Sequence, residues 1–325
     1  MKTFPATTVS AFIKTAAVAL MFGSAFFPLI GAKADTIYVS GDGNIVQKFD
    51  SSGNATFFAN AGGGPESLVF DRNGNLYVAN SAGNTVEKFD SSGQGTVFVN
   101  VQSPMGLAFD RSGNLYVSSF GGNNTGTVLR YNPNGQATVF ASSLNYPTGL
   151  AFDSTGNLFV AGFAANGAGK IKKFDSSGNA SVFSSSGLLS RPFGLAFDSN
   201  DNLCVANEGG NGFIGALPGD NTIDKINSSG QLSIFADVLK PRGLAFDNDG
   251  NLYTTGQNYR DAGSPFATIF EIDPNGNASI FATGSRGGGF GFITIVPEPS
   301  AFALMALGSV ALYYFRRSIG TARKH

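Results

Sequence analysis

The chain has 325 residues, of which 42% are hydrophobic and only 13% are charged, with 44 Gly, 31 Phe, no Trp, one Cys and one His. This composition supports a sizeable core and excludes a disordered protein. A single Cys204 excludes an internal disulfide, a CxxC redox pair and a structural zinc site. The only histidine is the last residue, His325, so the body of the chain has no imidazole for acid–base catalysis or metal binding.

Residues 1–34 have the pattern of a secretory signal peptide. Lys2 and Lys14 supply positive charge, an apolar run follows them, and the Ala-Lys-Ala sequence at 32–34 is a small-x-small cleavage pattern. A membrane anchor is the alternative, but the apolar run is short for a span and a cleavage pattern follows it. We therefore expect an exported protein whose mature chain begins near Asp35.

Two phrases then recur through the chain. The first, seen most clearly from Pro104 to Val117, returns with a period of 39 to 49 residues at Pro65, Pro147, Pro192 and Pro241. The second, an Asp or Asn turn followed by an apolar run, occurs six times, and its copies end at Phe58, Phe98, Phe140, Phe183, Phe235 and Phe281. Such a period indicates one supersecondary unit repeated along the chain.

Each unit is predicted to hold four short strands. Apolar residues alternate in the manner of strands, and the segments between them carry Asp-x-x-Gly or Asn-Pro-Asn-Gly turns, in which Asp accepts backbone N–H groups and Gly supplies a positive φ. Four-stranded units at this period are typical of β-propeller blades. The fold class is therefore predicted to be all-β, a six-bladed β-propeller spanning residues 35–296.

The two ends of this region complete each other. The N-terminal side supplies Thr36 to Val39 and two further strands but no first strand, and the C-terminal side supplies an isolated first strand over 291–295. We expect the sixth blade to form from both ends, which closes the ring without a free inner edge.

Residues 35–296 resemble the NHL-repeat and regucalcin-like six-bladed propellers. In the regucalcin and gluconolactonase family, Asn, Asp and Glu side chains on one face bind a divalent cation, but the corresponding variable position of the Pro-x-Gly phrase offers only Glu66 as a carboxylate. Streptogramin lyases share the propeller and use a catalytic His with magnesium, and 35–296 contains no His. We therefore predict no metal, no cofactor and no catalytic residue. A divergent metal-dependent lactonase or hydrolase remains the alternative.

Most of the recurring residues are assigned to the fold. Phe at equivalent strand positions is expected to fill the space between blades, and Asp at equivalent turn positions is expected to shape turns. Cys204 aligns with Tyr or Phe of the other repeats and is expected to be a buried small hydrophobe.

A ligand, if bound, is expected at the channel mouth where the inner strands begin. Loops and inner-strand starts bring polar and aromatic side chains to that face, a mixture that suits a sugar or a peptide, although these residues also read as ordinary solvated loop positions. The candidate ligand-binding residues are Glu66, Asn80, Arg191, Phe193, Asn207, Glu208, Arg242, Tyr259 and Arg260.

The C-terminal residues 297–325 contain Pro297-Glu298-Pro299, an apolar stretch over 301–315 and a basic tail that begins at Arg316 and Arg317. This order resembles the PEP-CTERM sorting signal, which implies a short transmembrane helix, an exosortase-type membrane protease as partner and an exopolysaccharide-producing bacterial host. A plain single-span anchor is the alternative.

Removing both ends reveals an acidic body. Residues 35–296 carry 14 Lys and Arg against 21 Asp and Glu, a net charge near −7, whereas the whole chain is at −1. Without a basic stripe, nucleic acid is excluded as a partner. The sequence predicts an exported, non-enzymatic binding or matrix protein of the cell envelope or extracellular space, anchored transiently or stably through its C-terminal helix.

Overall fold

The structure, a computed structural model, describes residues 36–121, 125–209, 221–258, 266–286 and 289–296. Over these ranges the chain forms 24 strands arranged in six four-stranded antiparallel sheets. The predicted all-β fold and the six blades are therefore confirmed.

The strands follow one another in chain order. The first three are β1 (Thr36–Gly41), β2 (Ile45–Phe49) and β3 (Ala55–Asn60). Blade 1 holds β4 (Pro65–Phe70), β5 (Leu76–Asn80), β6 (Thr85–Phe89) and β7 (Gly95–Asn100). Blade 2 holds β8 (Pro104–Phe109), β9 (Leu115–Ser119), β10 (Gly126–Tyr131) and β11 (Ala137–Leu144). Blade 3 holds β12 (Pro147–Phe152), β13 (Leu158–Phe163), β14 (Gly169–Phe174) and β15 (Ala180–Ser184).

The remaining strands complete the ring. Blade 4 holds β16 (Pro192–Phe197), β17 (Leu203–Asn207), β18 (Thr222–Ile226) and β19 (Leu232–Asp237). Blade 5 holds β20 (Leu244–Phe246), β21 (Leu252–Asn258), β22 (Phe266–Ile272) and β23 (Ala278–Arg286). The last strand is β24 (Phe290–Val296), and it forms blade 6 with β1, β2 and β3 in the order β24-β1-β2-β3.

The ring closes as predicted from the incomplete repeats at the two ends of the propeller. Strand β24 lies antiparallel to β1, with Thr36 opposite Val296 and Val39 opposite Ile293, and one register shift near Gly41. The innermost strand of blade 6 therefore comes from the far end of the chain, and the blade exists only when both ends are present.

The recurring Asp turns have the predicted chemistry. In blade 1, Asp71 Oδ1 accepts the N–H groups of Asn73 and Asn75, both at 2.9 Å, and Asn75 Nδ2 donates to Asp71 Oδ2 at 2.8 Å. Gly74 takes φ of 79°, a left-handed conformation that Gly adopts without a steric cost. These aspartates build hairpins, as predicted, because each carboxylate is occupied by its own turn.

Six separate apolar clusters hold the blades together, one between each pair of neighbouring sheets. Aromatic rings meet edge to face within them; Tyr77, for example, packs against Phe98 and Phe109 with ring centroids 5.2 and 5.1 Å apart. Cys204 takes the equivalent place in blade 4, fully buried, and burial raises the pKa of its thiol to about 12. The prediction of a buried small hydrophobe is confirmed.

Hydroxyl groups on the second strands of blades 2, 5 and 6 link each of these blades to the next. Ser118 Oγ accepts the N–H of Gly106 in its own blade at 2.7 Å and donates to the Thr148 carbonyl of the next blade at 2.5 Å. Ser40 does the same across the closure, accepting from Phe292 N–H and donating to the Glu66 carbonyl, both at 2.8 Å. These bonds fix the spacing of the inner strands where they begin, which is the face that carries the candidate site.

Candidate binding site at the channel mouth

An apolar plug lies on the ring axis where the inner strands begin. Met105 of blade 2, Phe193 of blade 4 and Phe292 of blade 6 form one buried cluster. Since they come from alternate blades and still touch, they meet near the axis. Phe120, just after β9, and Phe163, the last residue of β13, pack against this plug.

A chain of charged side chains lies beside the plug. Arg242, just before β20, places Nη1 3.5 Å from Glu66 Oε2 on blade 1 and Nε 3.3 Å from Glu208 Oε1 after β17. Arg191, just before β16, places Nη2 3.7 Å from Glu208 Oε2. Four predicted site residues, from three parts of the chain, are thus brought together.

The two guanidinium groups lie over aromatic rings of the plug and its surround. Arg242 Cζ is 4.9 Å from the Phe193 ring centroid, and Arg191 Cζ is 5.3 Å from the Phe163 centroid. Cation–π contacts of this kind contribute about 0.5–2 kcal/mol. Phe193 is 3% exposed, so its ring faces Arg242 and the plug, and its predicted ligand contact stays a prediction.

The pKa of Glu66 is set by its burial and by the two charged side chains beside it. Burial raises the pKa of Glu66, the Arg242 charge opposes that rise, and the Glu208 charge adds to it. Glu208 Oε2 is buried and has no hydrogen-bond partner among the described residues. Both arginine side chains are partly exposed, at 31% for Arg242 and 28% for Arg191.

Asn80 and Asn207 end the second strands of blades 1 and 4 and are both fully buried. Asn207 Nδ2 donates to Asp224 Oδ2 at 2.8 Å, whereas Asn80 Nδ2 donates to Thr85 Oγ1 at 3.3 Å. They lie in the walls of their blades rather than among the four charged residues, and their predicted ligand contact stays a prediction.

The buried acid beside Asn207 is Asp224. Burial raises its pKa to about 6, against the hydrogen bonds from Thr222 and Asn207, which lower it. This carboxyl group changes protonation at mildly acidic pH, and it does so inside blade 4.

Three aromatic residues of this face were missed by the sequence reasoning. Phe163 and Tyr146 stack with centroids 5.4 Å apart, and Phe120 meets Tyr146 edge to face at 5.6 Å. All three lie outside the repeated phrases, in the segments that link them. They could have been found by listing the aromatic residues of those variable segments.

The remaining predicted site residues lie outside the described residues. These are Tyr259 and Arg260 of the candidate ligand site, and Pro297, Glu298, Pro299, Arg316 and Arg317 of the C-terminal signal. The predicted signal peptide at 1–34 and the apolar segment at 301–315 also lie outside them. Within the described ranges, no helix has the length and apolar character of a membrane span.

The donor set at the channel mouth does not fit a divalent cation. Calcium takes six to eight oxygen ligands, but the two carboxylates here, Glu66 and Glu208, both contact the Arg242 guanidinium, whose charge repels a cation. The axis beside them is filled by apolar side chains. In the described ranges, no three His, Cys, Asp or Glu side chains cluster as a metal site.

Comparisons with known proteins locate the C-terminal signal and the fold. A family profile for the PEP-CTERM protein-sorting motif matches residues 296–318. The chain carries a PEP-CTERM sorting motif. It begins at the last residue of β24, and it indicates export and membrane-associated sorting by an exosortase-type system. No curated protein matches the chain in sequence.

Solved structures share the propeller at low identity. Virginiamycin B lyase from Staphylococcus aureus is 17% identical over 78% of this chain and 85% of its own, with a TM-score of 0.55. The gluconolactonase XC5397 from Xanthomonas campestris is 16% identical over 66% and 74%, with a TM-score of 0.52. The calcium-binding protein regucalcin from Agrobacterium tumefaciens is 15% identical over 67% and 77%, with a TM-score of 0.52. At these identities the similarity shows the fold alone.

Proposed function

We propose that this protein is a non-enzymatic binding or matrix component of the bacterial cell envelope, delivered there by an exosortase-type system and associated with extracellular polysaccharide. The observation that carries the proposal is the sorting motif at 296–318, which starts where the ring is complete. A propeller whose last strand ends at Val296, the first residue of the motif, keeps its fold when the segment after it is inserted in a membrane or removed.

The channel mouth supports a binding role. Arg242 and Arg191 have partly exposed side chains, and Glu66 and Glu208 hold their guanidinium groups in place. Guanidinium groups fixed in this way offer paired donors to hydroxyl, carboxylate and carbonyl oxygens, which are the groups that sugars and peptides present. The ligand class is therefore a polysaccharide or a peptide.

The alternative is a metal-dependent lactonase or hydrolase on the same scaffold, since a gluconolactonase and a lyase share the fold. The salt-bridged carboxylates and the apolar plug argue against it, because a hydrolytic metal centre needs several fixed ligands and an open position for water. Titration of the protein with calcium, magnesium and zinc separates the two functions. Tight binding at one ion per chain supports the hydrolase, and its absence supports the binding protein.

Export through the sorting motif is tested in an exosortase-bearing host. The wild-type chain is compared with a triple variant, Pro297→Ala, Glu298→Gln and Pro299→Ala, and with Pro133→Ala, which changes an exposed proline in a ring turn. We expect the wild type and Pro133→Ala in the envelope or medium and the triple variant retained in the inner membrane. Identical distribution of all three chains would contradict sorting through this motif.

A ligand at the channel mouth is tested by an array of glycans and peptides, probed with the wild-type chain and with Arg191→Gln. We expect a hit for the wild type that the variant weakens by about tenfold, the usual effect of losing a charged hydrogen bond. An array with no hit, or with hits that the variant leaves unchanged, argues against this face as the binding site.

A further inference from the structure

A cavity of about 320 Å³ lies between the outermost strand of blade 2 and blade 3. It is lined by residues of β13 and β14, by the end of β11 and the segment that follows it, and by Ser185. The volume is at the lower end of the ~300–1,000 Å³ range of small-molecule sites. It therefore suits a ligand of monosaccharide size.

The strand register shows how blade 3 differs from blades 1 and 4 at this place. In blade 1, Asn80 lies opposite Thr85 and Val78 lies opposite Glu87. In blade 4, Asn207 lies opposite Thr222 and Val205 opposite Asp224. In blade 3 the same positions hold Gly162 opposite Lys170 and Val160 opposite Lys172.

These replacements invert the charge and remove a side chain. Blade 4 fills the position with a closed cluster, in which Asn207 donates to Asp224 at 2.8 Å, and in blade 1 Glu87 Oε2 accepts the Gly62 N–H at 3.0 Å. Blade 3 has lysine in place of each acid and glycine in place of each asparagine. The space that the amide side chain fills in blades 1 and 4 is left to the cavity.

The two lysines have no acidic partner in the described part of the chain. No Asp or Glu lines the cavity, and no ion pair to Lys170 or Lys172 occurs among the described residues. Their neighbour on the opposite face of the strand, Lys173, instead lies 3.7 Å from Asp153. Residues two apart on one strand face are about 7 Å apart, so two ammonium groups can reach one anion.

The rest of the lining suits an organic anion with a carbon skeleton. Phe163, Pro147 and Leu144 supply apolar surface, and Ser143, Asn145 and Ser185 supply hydroxyl and amide groups. Stacking against Tyr146 holds the Phe163 ring in place. In a body of net charge near −7, this is a local cationic site on an acidic surface.

We propose that this cavity, defined by Lys170, Lys172 and Phe163, is a binding site for a monosaccharide-sized organic anion, a sugar acid or a sugar phosphate. The two lysines bind the carboxylate or phosphate group, and the skeleton lies against Phe163. The site adjoins the channel mouth through Phe163, whose ring also carries the Arg191 guanidinium. Neither Arg191 nor Arg242 lines the cavity, so the proposal does not depend on the identity of a ligand at the channel mouth.

The test is calorimetric titration of the full chain, purified in mild detergent, with glucuronate, glucose 6-phosphate, glucose and inorganic phosphate. The central variants are Lys170→Thr and Lys172→Gln, because Thr occupies the first position in blades 1 and 4 and Gln47 occupies the second in blade 6. Both replacements are therefore compatible with the fold. The matched control is Lys48→Gln, which removes an exposed lysine in blade 6.

We expect the wild type and Lys48→Gln to bind glucuronate or glucose 6-phosphate better than glucose, and each cavity variant to bind about tenfold more weakly. Preference between the two anions identifies the carboxylate or the phosphate as the group bound. The proposal is overturned if inorganic phosphate or glucose binds as tightly as glucuronate and glucose 6-phosphate, or if no ligand binds. It is also overturned if Lys48→Gln and Lys172→Gln weaken binding equally.

Discussion

Thr36 and Val296 lie opposite each other in the antiparallel pair that joins β1 to β24, so the first and last residues of the propeller meet in one blade. The sorting motif starts at this same Val296. The strand that closes the ring therefore runs directly into the segment that directs the protein to the membrane, and the two share Val296.

Truncation after Gly289 removes β24, and we expect a large loss of stability or an opened ring. Blade 6 then has an exposed inner edge, and the apolar cluster around Ile293 and Val39 loses one wall. Thermal unfolding followed by circular dichroism measures the effect. Truncation after Val296 is the control and is expected to unfold like the full chain; an unchanged melting curve for both truncations would contradict closure by β24.

Gly194→Ala is expected to destabilise the ring strongly. A Cβ at this position would lie 2.1 Å from the Arg242 carbonyl oxygen of the next blade, so the inner strands of blades 4 and 5 would have to separate. The control is Gly187→Ala, where a Cβ meets no atom within 4 Å. Chemical denaturation of the two variants compares them directly, and equal stabilities would mean that the inner strands are not packed this closely.

Arg242→Gln removes the charge that lowers the pKa of Glu66, so we expect the pKa of Glu66 to rise further. We also expect the free energy of unfolding to fall by about 1–2 kcal/mol, through loss of the contacts with Glu208 and with the Phe193 ring. Carboxyl NMR titration and denaturation measure the two effects. Arg72→Gln, at an exposed arginine, serves as control. An unchanged pKa of Glu66 in Arg242→Gln would show that Arg242 does not act on it.

The pH dependence of stability reports on Asp224. Its pKa is about 6 in the folded state against 3.8 as the ordinary value, so the folded state holds more protons between these values and its stability falls as pH rises from about 4 to about 6. Asp224→Asn removes this contribution. We expect the variant to lose less stability than the wild type over that window; parallel curves would place the titrating group elsewhere.

The repeat made the fold predictable. Turn residues such as Asp71 and Gly74 act within a few positions of themselves, so the blade and its boundaries follow from local chemistry. The incomplete repeats at the two ends also predicted the closure, because a ring of similar blades leaves only one place for an isolated inner strand.

The channel mouth was less predictable because it depends on how blades meet across the ring. The sequence selected Glu66, Arg191, Glu208 and Arg242, which the structure brings together, since charged residues in variable segments stand out from the repeat. It did not predict the plug. Phe292 reaches the axis through the register of β24 against β1, which includes a shift that no local pattern indicates.

The most direct test of the account is the C-terminal sequence of the mature protein, determined by mass spectrometry on envelope and medium fractions of an exosortase-bearing host. We expect a chain that ends at or near Pro297 to Pro299, with an intact propeller upstream. A chain that extends to His325 and stays in the cytoplasm would contradict it.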